Sequence, residues 1–216
     1  MKRKILAVLL VLAVMFSMGA AKKDDEIKRM GIFISNFTEL GMLDFDLEEE
    51  GPDEILHLGD PYNMGELIKF GIGHNIINNP KSTVKKCTLP GCEYGPSLMS
   101  GSSVAESVKK YFDLDVKNET VTGSPEAIFD GRSYHFDAQE WKSDAVYYEQ
   151  EWRPAALYYA EVQRVSRAKG VVHMEGELYN IKKKSDRPAW FTAKAKPYKY
   201  NGKNTWAILS LSVEWK

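Results

Sequence analysis

Residues 189–215, AWFTAKAKPYKYNGKNTWAILSLSVEW, decide the fold class because they contain two strand patterns joined by a turn signal. Asn201-Gly202 separates the two runs, and Asn-Gly between apolar-rich runs is a strong signal for a two-residue β-hairpin. In the second run every other side chain is apolar and is expected to face the core: Ala207, Leu209, Leu211, Val213 and Trp215. A period of two residues is typical of a strand with one covered face. The stretch therefore predicts an antiparallel hairpin.

The chain upstream of this hairpin carries further strand signals. Asp130-Gly131 lies between the two apolar-rich runs of AIFDGRSYHF and predicts a second hairpin. The runs 156–165 and 170–181 flank the turn-prone AKG, and AVYYEQEW, which begins at residue 145, predicts another strand. Successive hairpins of this kind predict an antiparallel sheet.

The first half of the chain has a different pattern, in which apolar residues recur at the three- and four-residue spacing of helices. In the second of its helical segments, Gly71 and Gly73 each weaken the helix by about 1 kcal/mol, which helices accept where a neighbour approaches closely. In the third, Ser103 and Glu106 have the spacing of a capping box. The helical pattern occurs over residues 24–41, 62–80 and 101–116.

Helices followed by strands predict an α+β fold with an antiparallel sheet. We expect the helical half to cover residues 22–115 and the β half to cover residues 116–216, packed together as one globular unit. By analogy, the sheet is expected to curl around one of the helices, broadly as in cystatin-like or nuclear-transport-factor-like folds.

Residues 1–21, MKRKILAVLLVLAVMFSMGAA, have the features of a secretory signal peptide. Three basic residues precede an apolar run from Ile5 to about Phe16, which is shorter than the roughly 20 residues that cross a membrane. Small residues follow, as signal peptidases require. We expect cleavage near Ala21 and export to a periplasm or the medium, with an uncleaved membrane anchor as the alternative.

The composition excludes some classes of partner. The chain has 29 Lys and Arg against 30 Asp and Glu, so no basic excess indicates nucleic-acid binding. After residue 21 no second long apolar run occurs, and we expect no membrane span once the signal is removed. A peptide, a glycan or another protein remains as the expected partner, and the sequence indicates no cofactor.

The two cysteines of the chain lie in CTLPGC, residues 87–92. Exported proteins meet an oxidising environment, and Pro90-Gly91 suits the centre of a type II turn that would bring Cys87 and Cys92 together. The spacing is not the C-x-x-C of redox motifs, and no second Cys or His pair completes a four-ligand zinc site. The sequence therefore predicts a structural disulfide and no metal site.

The sequence carries few signals of enzymatic activity. It lacks the G-x-S-x-G elbow, the P-loop, the H-E-x-x-H motif and the G-x-G-x-x-G fingerprint, so no catalytic residues are predicted. The four histidines, His57, His74, His135 and His173, are scattered along the chain, and His74 on an apolar helix face is interpreted as a core histidine. As an alternative, His135 and His173 could meet across the sheet and, with Glu175 or else Asp137 or Glu177, form a hydrolase-type acid/base site.

The five tryptophans all fall in the β half, and several are out of phase with the expected core face. Trp206, for example, alternates against Ala207 and Leu209. Exposed Tyr and Trp side chains are typical of binding surfaces. The first hypothesis is therefore an exported, non-enzymatic binding protein with an aromatic-lined sheet face or pocket, and a purely structural envelope role remains open. The predicted ligand-binding residues are Trp141, Tyr148, Trp152, Tyr159 and Trp190.

Three blocks of the helical half, GIFISNFTELGM, FGIGHNIINNP and VAESVKKYF, resemble those of a group of uncharacterised exported bacterial proteins, some of which are lipoproteins. The resemblance covers roughly residues 27–112. It implies export from a bacterial cell but no particular activity. The chain departs from the lipoprotein members because it lacks their lipid-bearing cysteine.

Overall fold

The computed structural model describes residues 24–47, 64–88, 92, 95–123, 125–142, 145–148, 151–154 and 158–216. Within these residues the fold is α+β, with antiparallel sheets that follow and interleave with the helices, as the sequence predicted. No helix of the described part is long and apolar enough to cross a membrane.

Three of the helices lie in the three predicted segments, and a further short helix begins at Pro80, where the second segment was expected to end. The helices are α1 over residues 24–38, α2 Met64–Asn78, α3 Pro80–Thr83 and α4 Gly101–Phe112, and a 3-10 turn covers Glu140–Lys142. One detail of the capping prediction is wrong. Helix α4 begins after Ser100, whose hydroxyl accepts the backbone N–H of Ser103 at 3.2 Å, so Ser100 is the N-cap.

The strands form three antiparallel sheets in the described part of the chain. Their bounds are β1 Phe45–Asp46, β2 Lys85–Lys86, β3 Ser97–Ser100, β4 Ile128–Phe129, β5 Ser133–Phe136, β6 Ala145–Tyr148, β7 Glu151–Pro154, β8 Tyr158–Ala168, β9 Val171–Asn180, β10 Ala189–Tyr200 and β11 Lys203–Trp215. The five-stranded sheet has the order β1-β11-β10-β9-β8, the four-stranded sheet has the order β2-β3-β5-β4, and β6 pairs with β7. Three short strands fall in the first half, which is therefore not purely helical.

The predicted hairpin of residues 189–215 is present as β10 and β11. Asn201 and Gly202 have φ values of 48° and 74°, as a type I′ turn requires. The set of β11 side chains that face the core, however, differs from the prediction. Opposite Lys194 and Ala195 the partner residues are Ser210 and Ile208, so Leu209 is an extra residue, a β-bulge.

This bulge corrects the predicted position of Trp206. Because an extra residue reverses the alternation, Trp206 and Ile208 face the core on one side of the bulge, and Leu211 faces it on the other. Trp206 is only 8 % exposed and does not lie on the outer face. Trp190 on β10 does lie outward, with 44 % of its surface exposed.

Helix α1 lies at the centre of the main core. Met30, Ile34 and Phe37 have no exposed surface, and they pack among side chains of α2, α4 and the five-stranded sheet. The edge strand β8 is tied to α1 by side chains: Ser35 Oγ accepts the N–H of Ala160 at 3.0 Å, and Thr38 Oγ1 donates to the carbonyl of Tyr158 at 2.7 Å. Both halves of the chain therefore share one hydrophobic core.

A second core lies between the helices and the four-stranded sheet. Ile68 and Ile72 of α2 pack there with Val104 of α4 and with the sheet residues Met99 and Tyr134. This core fixes β3 and β5 side by side, with Leu98 paired to His135. It thereby sets the position of the site described next.

Candidate metal centre

His135 is the centre of the candidate site. Its neighbours on β5, Tyr134 and Phe136, are buried in the second core, and His135 itself is only 3 % exposed. The strand pairs with β3 on one side and β4 on the other, where Leu98 and Ile128 lie opposite the histidine. A histidine held by two neighbouring strands has little freedom to reorient, so its two ring nitrogens face fixed partners.

Both cysteine sulfurs converge on one nitrogen of this ring. Cys92 Sγ lies 3.2 Å and Cys87 Sγ 3.8 Å from His135 Nδ1. The three atoms all lie within 4.8 Å of one another, and Cys87 is buried while Cys92 is partly exposed. The backbone N–H of Cys87 is bonded to the carbonyl of Pro96 at 2.8 Å, which anchors this segment to the start of β3. Among the described residues, Cys87, Cys92 and His135 therefore have ligand atoms close enough together to hold one metal ion.

The other ring nitrogen meets a carboxylate. His135 Nε2 lies 2.9 Å from Asp130 Oδ2. Asp130 is fixed in turn by its other oxygen, which accepts the backbone N–H groups of Arg132 and Ser133 at 2.8 and 2.7 Å. If Nε2–H donates to the carboxylate, the lone pair of Nδ1 points at the two sulfurs, which is the tautomer that a metal at Nδ1 requires.

These contacts also shift the pKa values of Asp130 and His135. The hydrogen bond from His135, with help from the Ser133 and Arg132 amides, lowers the pKa of Asp130 to about 2. The same bond raises the pKa of His135, and the nearby Cys87 thiol contributes in the same direction. Asp130 is therefore ionised at neutral pH and is a permanent acceptor for the imidazole.

The distances suit a tetrahedral thiolate–imidazole site. With zinc–sulfur bonds of about 2.3 Å and zinc–nitrogen bonds of about 2.0 Å, tetrahedral angles place sulfur and nitrogen roughly 3.5 Å apart. The two observed sulfur–nitrogen distances, 3.2 and 3.8 Å, bracket this value. A carboxylate on the far nitrogen of a ligating histidine is the usual outer-shell arrangement of zinc sites.

The predicted disulfide is not found in the structure. Cys87 and Cys92 are not at disulfide distance. Instead, both sulfurs lie against the His135 ring. The turn residues Pro90 and Gly91, on which the prediction depended, lie outside the described residues.

The predicted aromatic residues do not form one site in the described part of the chain. Tyr159 and Trp190 lie on the outer face of the five-stranded sheet, where Tyr159 contacts Tyr179 at 6.2 Å between ring centroids. Lys216 Nζ lies 4.2 Å from the centroid of the Trp190 ring. Trp141 packs in the second core against Phe136 instead. The side chains of Tyr148 and Trp152 lie outside the described residues.

The alternative histidine site is also not assembled. His173 lies on β9 of the five-stranded sheet, opposite Ser166 and Lys194, whereas His135 lies in the four-stranded sheet. Glu175 forms an ion pair with Arg164 at 3.6 Å. The prediction that His135 and His173 meet across one sheet is therefore wrong, and the carboxylate partner of His135 is Asp130.

The interpretation of His74 as a core histidine is confirmed. It is 3 % exposed, lies near-parallel to the Phe70 ring, and its Nδ1 lies 3.2 Å from the side-chain amide of Asn78. Burial, with a smaller contribution from Lys110, lowers the pKa of His74 to about 4. The ring is therefore neutral under ordinary conditions. His57 lies outside the described residues.

In comparisons with known proteins, no family model, no curated protein and no solved structure matches the chain. The resemblance of the helical blocks to exported bacterial proteins stays a prediction, and the analogy to cystatin-like or nuclear-transport-factor-like folds is not confirmed. The function of the site is therefore inferred from its own geometry.

Proposed function

We propose that this chain is a metal-binding protein that holds a thiophilic divalent cation, with zinc as the best fit, on Cys87, Cys92 and His135. One observation carries the proposal: two sulfurs and one imidazole nitrogen converge, while the opposite nitrogen of the same ring is held by Asp130 at 2.9 Å. Ligand set and outer-shell carboxylate are thus both present.

The charges of these groups favour a divalent ion. Two cysteine thiolates neutralise a dication, and the neutral imidazole completes the three-ligand set. Soft sulfur ligands select zinc or copper(I) over magnesium and calcium, which prefer oxygen. The described residues thus supply three ligands of a tetrahedral site and leave its fourth position to water or another donor.

This proposal narrows the expected non-enzymatic binding protein to one kind of ligand. The outward Trp190 and Tyr159 side chains support a separate contact with a peptide, glycan or protein less strongly, because Trp141 lies elsewhere. Export remains part of the proposal and is supported by the pattern of residues 1–21. In that location the protein would bind the metal outside the cytoplasm.

A thiol hydrolase is the second candidate, and one observation favours it. Cys92 Sγ, His135 and Asp130 form a chain with links of 3.2 and 2.9 Å, the order of nucleophile, base and orienting carboxylate. Such an enzyme needs one thiol. The second sulfur, Cys87 Sγ at 3.8 Å from the same nitrogen, favours the metal interpretation.

Cobalt(II) titration of the reduced, metal-stripped full chain tests the proposal. We expect one cobalt per chain, with the thiolate-to-metal charge-transfer absorption of a tetrahedral site. That absorption should weaken in C87S and in C92S, and H135Q should bind more weakly. The matched control is H173Q, which removes a histidine from the other sheet and should bind as the wild type does.

The same preparation separates the two candidates. A hydrolase predicts that Cys92 is alkylated much faster than Cys87, that the rate depends on His135, and that added zinc leaves it unchanged. A metal site predicts that zinc protects both thiols equally. Failure of the wild-type chain to bind cobalt would overturn the metal proposal.

A further inference from the structure

A cleft lies at one end of the five-stranded sheet, remote in sequence from the cysteines. The β8–β9 and β10–β11 turns lie at the same end of the sheet, because successive antiparallel strands reverse direction. The first turns of α1 reach this end as well, since Glu26 contacts Arg167 and Arg29 contacts Asn204. These segments line an open cleft of about 910 Å³.

The floor of the cleft is apolar and rigid. Trp206 is 8 % exposed and Val172 1 %, and both belong to the main core, so their accessible surface is fixed by packing behind them. Pro197 on the central strand β10 adds a further apolar wall. Ligand pockets are typically apolar concavities of about 300–1,000 Å³ with a few polar groups that orient the ligand.

The polar group best placed for that task is Arg29. Its guanidinium carbon lies 5.5 Å from the centroid of the Trp206 ring, and Nη2 donates to the carbonyl of Asn204 at 3.0 Å. A guanidinium has five N–H donors, so this bond uses only one of them. Arg29 is thus held over the apolar floor with donors left for a ligand.

The charge of the lining favours an anion. Arg167 Nη2 lies 2.8 Å from Glu26 Oε1, so these two charges compensate each other. The charged side chains that remain in the lining are those of Arg29 and Lys199, which are cationic, and that of Asp25, which is anionic. The lining therefore has an excess of positive charge.

We propose that this cleft binds a small organic anion, a carboxylate or sulfonate with an apolar body. The body would lie against Pro197 and the accessible edge of Trp206, and the head group would accept hydrogen bonds from Arg29 near Lys199. This site is independent of the cysteine–histidine centre, and neither proposal depends on the other.

Isothermal titration of the full chain with three matched probes tests this site. Decanoate has both an apolar body and an anionic head, decyltrimethylammonium has a similar body with a cationic head, and acetate has the head alone. We expect saturable one-to-one binding of decanoate. The other two probes should bind at least about tenfold more weakly, a difference of about 1.4 kcal/mol.

Variants locate the binding. R29Q should weaken decanoate binding about tenfold, and the double variant R29Q/K199Q should weaken it further, because a charge-assisted hydrogen bond and a second cation are removed. R164Q, which removes an exposed arginine from the same sheet outside the cleft, should bind decanoate normally. Equal binding of the cationic probe, or undiminished binding by the double variant with unchanged thermal unfolding, would overturn the proposal.

Discussion

His135 Nε2 and Asp130 Oδ2 are 2.9 Å apart, although the two residues lie on opposite sides of one hairpin turn. The other oxygen of Asp130 accepts the backbone N–H groups of Arg132 and Ser133 and so closes the β4–β5 turn. His135 lies two residues after Ser133. The turn that folds the hairpin therefore also orients the imidazole towards the two cysteines. The Asp130 carboxylate therefore contributes both to the folding of the hairpin and to the assembly of the site.

The first prediction concerns this carboxylate. Asn at position 130 keeps the turn hydrogen bonds but loses the negative charge that orients and polarises His135. We expect D130N to bind zinc about 10–100-fold more weakly, the usual cost of losing an outer-shell partner. Competition against a chromophoric chelator measures this affinity. D137N is the matched control, since Asp137 follows the same strand and, among the described residues, its carboxylate accepts the backbone N–H of Gln139 at 2.8 Å. Equal affinities of D130N and wild type would exclude an outer-shell role.

The second prediction concerns oxidation. The sulfurs of Cys87 and Cys92 lie close enough to share an ion, so we expect metal-free protein treated with diamide to lose two hydrogens and form the disulfide that the sequence predicts. Zinc should slow this reaction strongly, because the bound thiolates are not available. Intact-mass spectrometry distinguishes the states, and C87S, which cannot form the bond, is the control. Equal oxidation rates with and without zinc would contradict metal ligation by both thiols.

The third prediction is a pH dependence of stability that arises from His74. Its pKa is about 4 in the folded protein, against about 6.5 in an unfolded chain, so the unfolded state binds the extra proton between these values. Stability from this residue is therefore full above pH 6.5 and is lost as the pH falls towards 4. Between pH 7 and pH 4.5 the loss is on the order of 2 kcal/mol.

Urea unfolding of the wild type and of H74Q at both pH values measures this effect. Gln keeps an acceptor for Asn78 but does not titrate. Burial raises the pKa of Glu39, but Glu39 is present in both proteins, so its contribution is expected to cancel in the comparison. We expect the wild type to lose more stability than H74Q on acidification, and parallel losses would show that His74 is not the titrating group.

The fourth prediction compares two glycines of α2. A methyl group on Gly71 would lie 2.6 Å from Val104 Cγ1 and 2.8 Å from the Val104 carbonyl oxygen. One on Gly73 would lie 3.0 Å from the end of the Leu40 side chain and at an ordinary contact distance of 3.8 Å from Trp141. G71A should therefore destabilise the protein by about 1–3 kcal/mol through forced separation of α2 and α4. G73A should be near neutral, because the gain in helix propensity of about 1 kcal/mol offsets a small adjustment. Denaturant unfolding measures both variants, and a stabilised G71A would contradict the close approach.

Local signals predicted much of this fold. Asn201-Gly202 and the AKG turn predicted two hairpins correctly, because each turn requires the left-handed backbone conformation and few residue types adopt it readily. The face of the sheet on which Trp206 lies was not predictable, because nothing in the alternating sequence of the strand indicates the bulge at Leu209. The convergence of His135 with the two cysteines was not predictable for a related reason: His135 reaches Cys92 only through the β3–β5 pairing, a contact across 43 residues.

The hydrogen bonds of Ser35 and Thr38 to β8 have a consequence for association between chains. The outer edge of an edge strand is a template on which another chain can add a strand and start aggregation. At Tyr158 and Ala160 that template is occupied by a helix of the same chain, and further along the edge the charged Arg164 and Arg167 oppose docking. Local detachment of α1 would therefore expose the start of this edge before the sheet itself unfolds, which makes the α1–β8 contact a safeguard against polymerisation.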